Sequence, residues 1–359
     1  MNRHEREKAP PSAMRFSGIR GSFLLFFGVW CVLCALNLSA AERFAFEKAE
    51  MGVPFRVTFY AQDEIFAKNA ADAAFSRVAA LNAIFSDYDS DSELSRLSDS
   101  SAQGRPVAVS PELWRVLEFA QNMAARSGGA FDMTVGPLVN LWRNARRKKE
   151  MPRPEKITEA LTRTGYAAVR LDPAVRTVEL LKPRMRLDAG GIAKGYAAEE
   201  ALKVLQQHGY PQALVSAGGD MAVGAPPPEA TGWRIEITAL DAAGAPDPRF
   251  LRLAHCFVST SGDLYQRLEL DGKRYSHIVD PRTGIGLTDH SLVTVVAGSG
   301  MEADVLAKVV SVLGPEAGMA LVEETAGAAA HVVRIPAGAV EEKFSTRWEL
   351  FDRDGSRGR

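Results

Sequence analysis

The first clear alternation in the chain is Phe55, Val57 and Phe59 set against Arg56, Thr58 and Tyr60, which predicts a half-buried strand. Ala74, Val78, Leu81 and Phe85 follow at helical spacing. Ser110 with Pro111 then predicts a capped helix start, with Leu113, Leu117, Ala120 and Ala124 as its buried stripe and Gly128-Gly129 as its end. Ala167 to Leu181 reads as two strands around Asp172-Pro173. Met185 and Leu187 read as a strand running into Gly190-Gly191, after which a helix extends to Gly209. Trp233, Ile235 and Ile237 mark a strand inside an otherwise Pro-, Gly- and Ala-rich stretch from Gly224 to Pro248. Leu268 and Leu270, then Asp271-Gly272, then Tyr275, His277 and Val279, predict a hairpin. A late helix is expected from about Glu302 to Leu313, stopped by Gly314-Pro315. Strands and helices are interspersed without a fixed repeat. The expected class is α+β, one large domain over residues 42–359, with mixed sheets, packed helices and room for two lobes.

The first 41 residues do not fit that pattern. Arg3, Arg6, Lys8, Arg15 and Arg20 outnumber Glu5 and Glu7, an uncharged segment runs from Gly21 to Ala41, and Ser39, Ala40 and Ala41 are small. A positive start, an apolar middle and a small-residue exit describe a signal peptide over residues 1–41, cut after Ala40 or Ala41. The protein is then exported, to the periplasm, with no stable membrane span after cleavage; uncleaved, the segment would tether it to the inner membrane. Trp30 before Cys31 and Leu33 before Cys34 are too bulky for a lipidation site. With those two cysteines inside the signal, only Cys256 remains, and a buried, inert thiol is its expected state.

Lys and Arg number 43 against 44 Asp and Glu, a net charge of -1, which argues against a general grip on nucleic acid. The basic run Arg143, Arg146, Arg147, Lys148 and Lys149 reads as a solvated helix end or loop.

Four segments look unlike scaffold. Gly129 to Pro137 holds Asp132 between glycines at a helix end. Asp188-Ala189-Gly190-Gly191-Ile192-Ala193-Lys194-Gly195 would present backbone N–H groups at a helix start, where phosphate can sit, with Lys194 one turn in. Ser276-His277-Ile278-Val279-Asp280-Pro281-Arg282-Thr283-Gly284 gathers a base, an acid and a guanidinium after a strand. In the late helix Asp304, Lys308 and Ser311 form a polar stripe opposite Val305, Val309 and Val312, as an ion pair on a wet face would.

Together with Met51-Gly52, Tyr88 ahead of Ser92-Glu93-Leu94-Ser95-Arg96-Leu97, Gly218-Gly219-Asp220 and Thr260-Ser261-Gly262, these segments resemble the FAD:protein FMN transferase family, ApbE. The resemblance implies an exported transferase that splits FAD, attaches FMN through a phosphoester to Thr or Ser of an exported or membrane redox protein, and releases AMP. It places FAD contacts at Met51, Tyr88, Ala130, Phe131, Asp132, Asp188, Lys194 and Ile278, and the catalytic histidine at His277. Its metal, usually magnesium, would use the backbone oxygen of Gly191 and the carboxylate of Asp304. Asp220 and Arg282 match as well, as contacts or as structural support.

One departure stands out. Lys308 occupies the position where family members usually carry a threonine metal ligand, and an ammonium has donors but no acceptor. Magnesium dependence is therefore in question: Lys308 would weaken metal binding, replace the metal, or swing to solvent. Same-site alternatives to the transferase are an FAD pyrophosphatase and a catalytically silent FAD-binding protein.

Overall fold

In a computed structural model, the structure describes residues 41–241, 245–263, 266–336 and 339–351, so the signal peptide expected before Ala41, with Cys31 and Cys34, lies outside the described residues. An antiparallel sheet of eight strands, in spatial order β1-β2-β6-β7-β10-β13-β14-β15, is the backbone of the fold. Its members are β1 (Glu42–Glu50), β2 (Val53–Ala61), β6 (Ala213–Ala217), β7 (Asp220–Val223), β10 (Cys256–Gly262), β13 (Ser291–Ala297), β14 (Ala329–Arg334) and β15 (Glu341–Phe344). A small sheet joins β3 (Val107–Ala108), β5 (Thr177–Leu180) and β4 (Val169–Asp172). Two hairpins complete the set: β8 (Trp233–Leu240) with β9 (Pro246–Leu253), and β11 (Arg267–Leu270) with β12 (Lys273–Ser276).

The expected strand at Phe55, Val57 and Phe59 is β2, all three side chains fully buried. Strand β13 is buried almost throughout because both sheet faces are covered. Val293, Val295 and Ala297 join the main core under the helices, while Val296 meets Trp233, Ile235 and Ile237 of β8 on the other side. The described residues from Glu42 onward form one compact unit.

Seven α-helices are described: α1 (Glu64–Phe85), α2 (Glu93–Asp99), α3 (Pro111–Arg126), α4 (Gly136–Lys148), α5 (Pro154–Thr162), α6 (Ala193–Gln207) and α7 (Gly300–Glu324). The Ser110 cap is present, its Oγ accepting the Leu113 N–H at 3.2 Å. Helix α7 breaks at Gly314 (φ 78°, ψ 176°) as its sequence predicts, but Pro315 then opens a second helical stretch, so the element runs on to Glu324. It is long and apolar enough to cross a membrane, yet Val305, Leu306, Val309 and Val310 are fully or almost fully buried in the main core. Proline fits there because a helix start has no use for its missing N–H.

Two expectations fail locally. Met185 to Leu187 is not a strand; only an isolated parallel bridge, Val135 to Arg186, forms there. The second hairpin strand stops at Ser276, leaving His277 just beyond it with Val279 in an isolated bridge to Gly286.

Helices α6 and α7 cross with almost no space between them. A Cβ on Gly195 would lie 2.1 Å from the Gly300 carbonyl oxygen, and one on Gly300 would lie 2.0 Å from that of Gly195. Only glycine at both positions permits this approach. Glu199 caps the crossing by accepting the Gly300 N–H at 2.8 Å. The result is that the first turns of α6 and α7 face each other.

Candidate functional site

Because of that crossing, Asp304 in the second turn of α7 is fully buried beside the start of α6. The Asp304 end of the late helix's polar stripe is thus no wet face, since the start of α6 covers it. Oδ2 of Asp304 accepts the Gly195 N–H at 3.1 Å and lies 3.9 Å from Lys194 Nζ, while Oδ1 contacts Lys308 Nζ. Lys194 also pairs with Asp220 at 3.1 Å and donates to the Gly190 carbonyl at 3.1 Å; Asp220 in turn accepts from Ser259 Oγ at 2.6 Å. Burial alone would raise the Asp304 pKa, but Lys194 and Lys308 outweigh it and hold the carboxyl below its usual range. Burial would lower that of Lys194, yet Asp220 and Asp304 keep it above the ordinary lysine value.

The Gly-Gly turn behaves differently from its sequence reading. Four of its N–H groups are already engaged, Gly190 with Asp188 Oδ1 at 2.7 Å, Ile192 and Ala193 with the Ala189 carbonyl, and Gly195 with Asp304. These carboxylates and carbonyls cap the helix start, so the lysine ammonium groups, more than a row of amides, supply the positive charge here. A Cβ on Gly191 would meet Phe131 at 3.2 Å and the Lys308 stem at 3.6 Å, which places those two residues on either side of it.

A second arm extends from Asp188. Arg143 bridges Asp87 and Asp188, its Nη2 lying 3.1 Å from Asp188, and its guanidinium sits 4.3 Å from the Tyr88 ring centroid. Arg143 is therefore no solvated end of a basic run, as the sequence reading had it. Its two carboxylate partners come from distant segments that periodicity within α4 does not reveal. Burial, then the Asp87 charge, push the Asp188 pKa up to about 6 against the pull of Arg143. Tyr88 itself is 79% exposed, an open aromatic face backed by a cation.

Asp132 is used up by its own loop. Oδ1 accepts from Thr134 N at 2.8 Å and Thr134 Oγ1 at 2.7 Å, and Oδ2 from Tyr166 N at 2.8 Å. It braces the turn that sets Ala130 and Phe131, rather than reaching outward. Arg282 is likewise support, clamped onto Asp280 through three contacts of 2.9 Å. Met51 sits in the β1–β2 turn, in a left-handed conformation (φ 50°), with its side chain against the main core. Ile278 is half-buried beside His277, its N–H held by Ser276 Oγ at 3.1 Å.

His277 is half-buried, with Nδ1 3.1 Å from the Gln266 carbonyl oxygen. A carbonyl only accepts, so Nδ1 carries the proton and Nε2 keeps its lone pair. Burial is the main cause that lowers its pKa to about 4; the Gln266 carbonyl opposes this, and the charges of Lys308, Arg146 and Lys194 add to it. The ring is therefore a neutral proton acceptor at pH 7. Cys256 is buried and its thiol is pushed up to about 12, which leaves it inert.

The residues around Asp304 do not fit a magnesium ion. Such an ion seeks about six oxygens near 2.1 Å. Both Asp304 oxygens are already committed, one of them to an ammonium that can supply no lone pair. Among the described residues no group of three or more His, Cys, Asp or Glu side chains stands ready to hold one. Lys308 does not swing to solvent; it occupies the carboxylate.

The ApbE family model matches residues 51–332. The chain is 32% identical over 316 residues to the FAD:protein FMN transferase of Treponema pallidum, covering 83% of this chain and 87% of that one. It is 28% identical over 342 residues to that of Haemophilus influenzae, covering 91% and 98%. Among solved structures, the flavin transferase ApbE from Vibrio cholerae superposes with a TM-score of 0.77 at 28% identity, over 87% of this chain and 99% of that one. The apo flavinyl transferase ApbE of Pseudomonas stutzeri gives 0.76 at 28% identity, over 88% and 98%. By family model, sequence and α+β fold alike, this chain belongs to the ApbE family.

Proposed function

We propose that this chain takes FAD as substrate and transfers its FMN half to a Thr or Ser hydroxyl of another protein. The observation that carries the reading is a neutral His277, its Nε2 lone pair available, close enough to Lys194 and Lys308 for their charges to lower its pKa. It is joined by the names of the relatives, which are FAD:protein FMN transferases. In the proposed step the acceptor hydroxyl oxygen bonds to the FMN-side phosphorus. The bond from that phosphorus to the bridging oxygen breaks, and its electron pair leaves with AMP. The hydroxyl proton passes to His277 Nε2. Tyr88, backed by Arg143, offers a stacking face for the isoalloxazine. Phosphoryl transfer asks mainly for alignment and charge stabilisation, which a lysine pair beside the base is suited to give.

The target would be an exported or membrane redox protein carrying the acceptor residue, and the protein itself would be exported. The charge and apolar pattern of residues 1–41 supports export. N-terminal sequencing of exported protein should start at Ala41 or Glu42; Met1 there would defeat the export reading.

The activity is tested by mixing the mature protein with FAD and an acceptor domain. Covalent flavin fluorescence on the acceptor, with AMP released, is the expected result. Free AMP and FMN without labelling would make it a pyrophosphatase, and intact bound FAD a silent binder. His277→Ala should lower labelling about 10²–10⁴-fold, the usual worth of a general base, while FAD affinity changes little. Wild-type rates in that variant would remove His277 from the reaction.

A further inference from the structure

The contact between Lys308 and Asp304 follows directly from helix geometry, because positions i and i+4 lie one above the other on α7. What makes it more than a surface pair is its setting. Asp304 is fully buried and the Lys308 side chain is 17% exposed, with its stem running along Gly191. The head shares Asp304 with Lys194, and the charges of both lysines are felt at His277.

Charge bookkeeping around this point is simple. Asp304 and Asp220 carry two negative charges; Lys194 and Lys308 carry two positive ones. The cluster is neutral before substrate arrives. An ammonium has three donors, and one of the three on Lys308 goes to Asp304. The other two remain for the non-bridging oxygens of a diphosphate. A divalent ion seeking Asp304 Oδ1 would first have to displace Lys308, and would then sit beside a repelling charge. Four amides around the Gly-Gly turn, those of Gly190, Ile192, Ala193 and Gly195, are already bonded within the protein, which leaves the ammonium groups as the main positive charge there.

We propose that Lys308 is a tethered cation standing where a divalent metal would otherwise bind, so that this chain handles the FAD diphosphate without a metal ion. The inference rests on the FAD reading above and deepens it. The bonds made and broken are those already described. Lys308 forms no covalent bond and keeps its proton. It stabilises the negative charge that grows on the FMN-side phosphoryl oxygens and on departing AMP, with Lys194 beside it. Lys308 is in this sense a catalytic residue, touching substrate through hydrogen bonds. Such an enzyme would work where free divalent ions are scarce.

The test follows AMP release and acceptor labelling in EDTA and across a magnesium titration, for the wild type, Lys308→Thr and Lys308→Arg. Wild-type rates should be the same in EDTA and in magnesium. Lys308→Thr should lose about 10²–10³-fold in EDTA, the scale of one lost charge-stabilising donor, and regain rate as magnesium is added. Lys308→Arg, which keeps the charge, should stay resistant to EDTA. Calorimetry of magnesium into the protein–FAD complex gives a readout independent of turnover. No binding is expected at the wild-type site, and binding is expected in Lys308→Thr.

A wild type that loses activity in EDTA and recovers with magnesium overturns this inference alone and leaves the FAD reading standing. So do superimposable magnesium curves for wild type and Lys308→Thr. A wild type that cleaves and labels nothing under any cation condition overturns both. Should Lys308→Thr fail to fold, the wild-type EDTA and calorimetry measurements still decide.

Discussion

Asp132 and Asp304 are both buried carboxylates in motifs that stand out in the sequence, yet the protein uses them in opposite ways. Asp132 is surrounded by neutral donors, two from Thr134 and one from the Tyr166 backbone. Burial raises its pKa, and those hydrogen bonds only moderate the rise. Asp304 is buried as deeply, but two ammonium groups face it and its pKa falls. Neutral donors fix where a carboxylate points without compensating its charge. Cations compensate the charge and are themselves held in place by it. The first arrangement builds a loop; the second holds positive charge at a defined place.

Neutralising each carboxylate in turn is the strongest test of that contrast. Asp304→Asn keeps the shape but leaves Lys194 and Lys308 without their shared counter-charge. Breaking a buried pair costs about 3–5 kcal/mol. Since both lysine side chains keep some exposure, 22% for Lys194 and 17% for Lys308, the low end applies, about 3 kcal/mol. Asp132→Asn keeps one acceptor oxygen for its three donors and should cost about 1–2 kcal/mol, the scale of an imperfectly met buried hydrogen bond. Urea unfolding of both variants measures the difference. Equal losses, or a larger one at Asp132, would mean that the ammonium pair around Asp304 contributes little to holding the crossing together.

The sequence made much of the scaffold legible, because alternation and capping are local. Strand β2, the Ser110-Pro111 helix start and the turn after Asp172 all form where the pattern predicts. What it concealed depends on partners far along the chain. Helical spacing puts Asp304 and Lys308 on one face, but it does not say that α6 covers that face. The cover exists because Gly195 and Gly300 let two backbones touch. Arg143 was hidden within a basic run for a similar reason, since Asp87 and Asp188 lie 56 and 45 residues away. Asp188, Lys194, His277 and Asp304 were found by motif, and the fold gathers Lys194, Asp304 and Lys308 around one point. Met51 is anchored in a turn against the core, and the Asp132 carboxylate braces its own loop.

The smallest effect is also the most specific, a shift in the pH dependence of His277. For a free histidine the neutral form is lost below about pH 6.5. Here burial, with help from Lys308, Arg146 and Lys194, delays protonation to about 4. The acid limb of kcat/KM for transfer, which reports the free enzyme, should therefore fall near pH 4. Asp188, pushed up to about 6, can add an inflection there, and Asp188→Asn should remove it while leaving the lower limb. The linked effect on stability has a definite sign. Between about 4 and 6.5 the unfolded chain binds a proton at this histidine and the native protein does not. Stability should thus decline as pH falls through that window, and this site should contribute nothing above it. Lys308→Met takes away one of the charges that disfavour imidazolium, so its limb should move upward from the wild-type position. It should move less than the full distance to 6.5, because burial, the larger cause, remains. A pH profile of the wild type and Lys308→Met from about pH 3 to about pH 8 checks this. A Lys308→Met limb that coincides with the wild type's would show that Lys308 and the base are not electrostatically coupled, and would separate His277 from the charge cluster at Asp304.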